Sequence, residues 1–200
     1  MVRSIITQNN LSINQNNMET ITETLTKWVI DPIHSQIGFK VKHLMFTNVR
    51  GKFDDYKASI STIGNDFTTV RIEVRINPAS VNTNDFQRDE HLRSADFFDI
   101  ESWKDITFTS TSYERTKKNE SYGLFGDLTI KGITKLIRLE MESGGILKDP
   151  WGKEKAIFNI LGRINRKDWG LNWNAALEAG GVLVGEDVWI NCEIQLTRES

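Results

Sequence analysis

The side chains best suited to chemistry crowd between Asn84 and Asp99, in Arg88-Asp89-Glu90-His91-Leu92-Arg93 followed by Ala95-Asp96-Phe97-Phe98-Asp99. Guanidinium groups and an imidazole could grip a polar or anionic head, and the paired phenylalanines could lie over an apolar tail. Asn84 with Gln87 three residues later has the spacing of a capping box, which predicts a short helix capped at Asn84. Asp89 and Arg93 stand four apart and are expected to pair along one helical face. A short polar helix ending in a double phenylalanine suits the cover of a pocket better than the centre of a sheet.

Other reactive groups are scattered. His34, His43 and His91 match no zinc-ligand spacing, so no metal site is expected. His43 continues the face of Phe39 and Val41, where an imidazole must find a hydrogen-bond partner, either a protein group or a ligand head. Asp31, His34 and Ser35 carry the letters of a hydrolytic triad, but no G-x-S-x-G elbow is present and neighbouring strand residues point to opposite faces. An Asp-Pro turn, with Ser and His satisfying backbone groups, is the better reading. The Asp54-Asp55 pair reads as an exposed turn rather than as glycosidase acids. Gly126-Asp127-Leu128-Thr129-Ile130-Lys131-Gly132 lies between strands instead of opening a helix, which argues against a phosphate loop. No catalytic residue and no cofactor are expected.

Those groups need a scaffold, and composition points to one domain. The 200 residues are 38% hydrophobic and 26% charged, within the range of an ordinary globular chain. Lys and Arg number 25 against 27 Asp and Glu, so no basic excess recruits nucleic acid. The single cysteine, Cys192, shares a phase with Val188, Ile190, Ile194 and Leu196 and reads as a buried small hydrophobe. A homodimer is possible, without a role for that thiol. Residues 1–27 are rich in Asn, Gln and Thr and read as a disordered leader, with Met18 as an alternative start. No secretory h-region or membrane span is visible, so the expected compartment is cytoplasmic.

From Trp28 onward the pattern alternates. Ile37, Phe39, Val41 and His43 share one face. Val70, Ile72, Val74 and Ile76 share another, as do Ile137, Leu139 and Met141, and then Val188 to Leu196. Period two with one polar face marks antiparallel strands. Less regular strands are expected at 49–61, 105–115, 121–131 and 155–168, with a turn at Lys117-Lys118-Asn119-Glu120. The segment 170–187 reads as a long loop with a possible helical turn at Ala175–Ala179. About eight strands is the number whose closed barrel holds side chains or one small ligand. The fold class expected is all-β: an extended eight-stranded antiparallel barrel with a short helix over its mouth.

An ordered set of motifs resembles the YceI-like, polyisoprenoid-binding family. It comprises Trp28-Val29-Ile30-Asp31 with His34-Ser35, Phe39-x-Val41-x-His43, Gly51-Lys52-Phe53, and Asn82-Thr83 followed by Arg88 to Asp99. Ile106-Thr107-Phe108 with Ser110, Gly126 to Lys135, Arg166-Lys167-Asp168-Trp169-Gly170 and Val184-Gly185-Glu186-Asp187-Val188 complete it. The resemblance implies a lipocalin-like barrel around an elongated apolar tunnel for an isoprenoid or other long-chain amphiphile. Many such proteins are periplasmic, which makes that compartment the alternative. The domain is expected over 28–200. Its lining is expected from Phe39, Val41, Phe53, Ile72, Val74, Phe108, Leu124, Leu139 and Ile190, with His43 facing the cavity. Arg88, His91, Phe97 and Phe98 are expected to border the mouth, with Trp103 and Trp169 as further candidates. The leading function is a non-enzymatic lipid carrier. An enzyme acting on a lipid or quinone-like substrate in the same cavity is the alternative, and a filled barrel with a purely structural role is the third possibility.

Overall fold

The computed structural model of the protein describes residues 24–115, 121–176 and 180–199. The expected leader, apart from its last few residues, and the turn at 117–120 therefore lie outside the described residues, as does most of the Ala175–Ala179 turn. Among the described residues eleven strands follow one another: β1 Leu25–Ile30, β2 Gln36–His43, β3 Thr47–Phe53, β4 Tyr56–Ile63, β5 Asp66–Ile76, β6 Val81–Asn82, β7 Ile106–Arg115, β8 Ser121–Ile130, β9 Ile133–Lys148, β10 Glu154–Asn165 and β11 Val184–Arg198. Among the described residues one α-helix, α1 Phe86–Arg93, interrupts them.

Every described pairing is antiparallel, and β1 closes the ring by pairing β4 on one side and β11 on the other. The circuit β1-β4-β5-β7-β8-β9-β10-β11 is thus an eight-stranded barrel. Along the same edge of β11, β2 takes over from β1, and β3 and β6 extend the sheet from there. The barrel is elongated: β9 has 16 residues and β11 has 15, lengths of roughly 50 Å at about 3.3 Å per residue.

The alternation expected in β5, β9 and β11 matches their pairing. Two less regular segments differ from the expectation. The strand expected at 49–61 is two strands broken at Asp54-Asp55, because Asp54 N donates to Ser80 O and Asp55 N to Ser80 Oγ, so both amides leave the ladder. The strand expected to run to residue 168 stops at Asn165, whose side chain caps a 3-10 turn over Arg166–Trp169. Gly170 ends that turn with φ +73°, a left-handed conformation that suits glycine.

Helix α1 begins one residue later than its expected cap. Asp85, not Asn84, is the N-cap, and its Oδ1 accepts from Arg88 N at 3.0 Å. Asn84 instead turns the chain with φ +61°. Two apolar clusters fill the barrel, one around Trp28, Phe158 and Leu196, the other around Phe53, Phe108, Leu124 and Trp169. Strand register assigns them to opposite ends. The first lies where β4 meets β5 and β11 finishes; the second lies where β8 meets β9 and β11 begins.

Candidate ligand cavity

A continuous apolar cavity of about 240 Å³ joins the two clusters. It is larger than the roughly 150 Å³ engineered cavity that stays dry and takes up benzene, so it can admit an apolar guest. Its wall draws on β1, β2, β3, β4, β5, β7, β8, β9, β10 and β11 and on the α1 segment. Every side chain in the wall is apolar except that of Arg166.

Eleven of the residues expected at the site are part of this wall: Phe39, Val41, Phe53, Ile72, Val74, Phe97, Phe98, Phe108, Leu124, Leu139 and Ile190. Alternation explains why they meet, since each inward set shares one phase of its strand. Two glycines make room for the rings. A Cβ on Gly51 would lie 2.4 Å from Phe39 Cζ, and one on Gly126 would lie 2.3 Å from Phe108 Cζ. These rings therefore lie against bare backbone, in space that a side chain at either glycine would occupy.

The other five expected residues lie elsewhere. His43 keeps the phase of Val41 but is the last residue of β2, at the hairpin beyond the wall. Arg88 is spent on the chain itself: Nε donates to Thr83 Oγ1 at 2.7 Å and Nη2 to Thr83 O at 2.9 Å. His91 lies behind Phe97 rather than in the cavity. Its Nε2 is 2.9 Å from Asp96 Oδ2, and its ring meets Phe97 and Trp173 edge-on at 5.1 and 4.5 Å. Trp103 is 40% exposed and covers Gly132 on the outside of the β8-β9 turn. Trp169 is buried, yet its Nε1 donates to Leu128 O at 3.1 Å and its ring packs behind the wall.

The pairing expected between Asp89 and Arg93 is replaced as well. Asp89 is buried and accepts from Thr83 N at 2.9 Å and Thr83 Oγ1 at 2.5 Å. Arg93 pairs with Glu90 at 2.6 Å and donates to the carbonyls of Ala79 and Val81. The charged cluster that looked like a site is a lattice that fastens α1 and the Phe97-Phe98 cover to β6.

Arg166 has the opposite history. It continues the inward phase of Ile160 and Ile164, both in the wall, so alternation alone could have pointed to it. Burial pulls its guanidinium below the usual arginine value, with Glu186 opposing that shift. Phe67 gave no such signal: it is out of phase with Val70 to Ile76 because the β4-β5 register slips between Ser61 and Ile63.

Two further groups bear on chemistry. The Cys192 thiol is in the wall and burial pushes it up to about 11, so it is a neutral lining group. Outside the barrel, Ser35 Oγ is engaged with both Gln195 O and Gln195 N, and His34 is bonded to Asp31. These three residues form a turn, as expected, not a nucleophilic relay. Burial acts to raise Asp31, but hydrogen bonds from His34, Lys155 and Ile33 outweigh it and lower the carboxyl to about 2. Among the described residues, no group of three or more His, Cys, Asp or Glu side chains converges, and no helix is long and apolar enough to cross a membrane.

With that geometry in view, known proteins offer a comparison. The family model described as the YceI-like domain matches residues 28–196. A UPF0312 protein of Staphylococcus aureus (strain MSSA476) is 39% identical over 165 residues, 82% of this chain and 93% of its own. The crystal structure of the Campylobacter jejuni YceI protein is 36% identical with a TM-score of 0.68, covering 80% of this chain and 90% of that one. A polyisoprenoid-binding domain from Saccharophagus degradans shares the fold at a TM-score of 0.63 and 13% identity, covering 86% of this chain and 98% of that one.

Proposed function

The chain belongs to the YceI-like family, and on that premise we propose that it carries a long-chain amphiphile of isoprenoid type, without chemical turnover, with the tail held in the barrel cavity. One observation carries the reading: the cavity runs between both apolar clusters with a wall that is apolar but for one side chain. Each buried methylene contributes about 0.8 kcal/mol before ordering costs, so chain length is expected to govern affinity. The polyisoprenoid-binding domain with the same fold supports this assignment of the lumen. An enzyme in the same cavity would need an acid, base or nucleophile on the wall. The wall offers a neutral thiol and a guanidinium, neither suited to general acid–base work near neutral pH.

The test is a titration of isoprenoid or fatty alcohols of increasing length into the protein and into Val74→Trp, which puts an indole into the middle of the wall. Affinity should rise with length in the parent protein and vanish in the variant. Affinity that ignores length, or survives the block, would move the site out of the barrel. Mass spectrometry of organic extracts from purified, folded protein would identify what it carries.

A further inference from the structure

The β2-β3 hairpin breaks two rules that govern surface turns. Its tip, Leu44-Met45-Phe46, is a run of three apolar side chains that are 47%, 61% and 85% exposed. Such a run on a surface favours aggregation unless it has a use. The turn closes through Phe46 N, which donates to His43 O at 3.2 Å, and both central residues take positive φ, +50° at Leu44 and +60° at Met45. Asn and Gly enter this conformation with little strain; leucine and methionine do not. A strained backbone therefore holds apolar side chains in water where Asn-Gly would turn more easily. Met45 lies against Gly181, where an added Cβ would meet its Sδ at 2.5 Å, and the exposed Val182, next in the chain, widens the patch.

Cations stand behind the tip. Lys40 faces Arg50 directly across the β2-β3 ladder, on the outer side because Phe39 and Val41 line the cavity. Like charges in that register repel. Lys42 Nζ donates to Phe46 O at 3.1 Å. Among the described residues none of these three cations pairs with a carboxylate. The acids that follow Gly185, which lies against Lys42, are engaged elsewhere: Glu186 by Lys167 and Asp187 by Arg163. Trp189 stands opposite Lys40 on β11, with Lys40 Nζ 5.3 Å from its ring centre. Lys42 and Lys40 lie two and four residues back from Leu44, about 7 and 13 Å along a strand. A tip sunk about 5–10 Å into the boundary between headgroups and acyl chains leaves them at the level of the lipid phosphates.

We propose that the β2-β3 tip docks the protein on an anionic phospholipid bilayer, with Leu44, Met45 and Phe46 in the interface and Lys40, Lys42 and Arg50 on the phosphates. A tryptophan beside cations suits that depth. Val184, in the cavity wall, pairs with His43, so the docked end is the one where β11 begins and where Phe97 and Phe98 pack. The inference stands independently of what fills the lumen. For the carrier proposed above, it assigns the end that meets the lipid surface.

The experiment is co-sedimentation of the full chain with vesicles of phosphatidylcholine alone and of equal parts phosphatidylcholine and phosphatidylglycerol, at low and at high salt. The protein should bind the anionic vesicles about tenfold or more tighter than the neutral ones, and the difference should shrink as salt screens the cations. Leu44→Asn combined with Met45→Gly separates a docking tip from a structural one. It supplies the residues the turn prefers, so thermal stability should hold or rise while vesicle affinity falls about tenfold or more. Phe46→Ser, at an exposed site, should lower the affinity in the same direction. Lys40→Gln and Arg50→Gln should each weaken binding to the anionic vesicles about fivefold. Trp151→Ala removes a ring as exposed as Phe46 from the β9-β10 turn, beside the finish of β11 at the other end, and should change nothing. Loss of binding in Trp151→Ala, undiminished binding in both tip variants, or no binding to either vesicle overturns the proposal. So does a dimer, seen by light scattering, that the tip variants dissolve while the parent ignores vesicles, since the patch then serves a second copy of the chain.

Discussion

The two ends of the barrel are closed by different physics. At the β4-β5 end, Trp28, Phe67 and Phe158 stack with centroids 5.1 and 4.7 Å apart, and the one polar group among them, the indole N–H, is matched by Thr62 Oγ1 at 2.9 Å. At the other end, charged groups bond to backbone: Asp89 to Thr83 and Arg93 to Ala79 and Val81 tie α1 to its neighbours, and Arg166 to Gly185 ties the 3-10 turn to β11. Ring packing is non-directional and tolerates small shifts. Charge-assisted bonds to fixed carbonyls and amides hold a segment in one arrangement, and each broken bond strands a buried polar group. The first arrangement suits a plug and the second a cover whose position matters.

The largest break in that contrast should come from Trp28→Ala. It removes a buried indole from the ring stack and the N–H that donates to Thr62 Oγ1, whose own hydroxyl still donates to Gly64 O, and the expected loss is about 3–5 kcal/mol of unfolding free energy in urea. A loss under about 1 kcal/mol would mean that ring packing does not hold that end. Asp89→Ala comes next. It leaves Thr83 N–H and Oγ1 without their buried acceptor, an expected cost of about 1–3 kcal/mol. Hydrogen exchange should place that loss in residues 81–98 while β10 and β11 stay protected; uniform loosening would show that the cover is not a separate unit.

A milder probe lies on the outer face, where neither end is involved. The Asp31 carboxyl is lowered to about 2 by His34, Lys155 and the Ile33 amide acting against burial. Because the folded value lies below the unfolded one, its contribution is present above about pH 4 and is lost as pH falls through 2. Asp31→Asn should therefore cost about 1 kcal/mol at pH 7, after discounting for solvent screening, and progressively less as pH falls through 2. A pH-independent cost would assign the effect to hydrogen-bond geometry rather than charge. The smallest effect belongs to Cys192. With its thiol inside the wall, Cys192→Ser should leave the oligomeric mass by light scattering unchanged, with or without reductant. A reductant-sensitive dimer lost in the variant would put the thiol on the surface.

Sequence was most informative where a strand keeps one phase. β5, β9 and β11 declared their inward faces, and Val74, Leu139 and Ile190 follow directly from them. It was least informative where a polar group bonds to backbone. Nothing in the letters Arg88, Asp89 and Arg93 says that their partners are the carbonyls and amides of residues 79–83, because every residue carries those groups. Helical spacing therefore suggested an Asp89–Arg93 pair that the tertiary partners displaced. His43 was misjudged because alternation gives a side chain's phase but not where its strand leaves the wall. Arg166 stood in phase with Ile160 and Ile164 but was read only as part of a motif.

The pairing of β1 with β11 has a consequence for how the chain is made. Trp28 pairs with Arg198 and Ile30 with Leu196, so among the described strands the first to be made waits for the last. Hairpins such as β8-β9 can form during synthesis, but closure must span the stretch from Trp28 to Arg198 and bears the loop entropy of that separation. Until then the unpaired edges of β1 and β11 and the lining face of the sheet are open to water and to other chains. Closure thus waits until Leu196–Arg198 have been made, and the interval before it is when misassembly competes with folding.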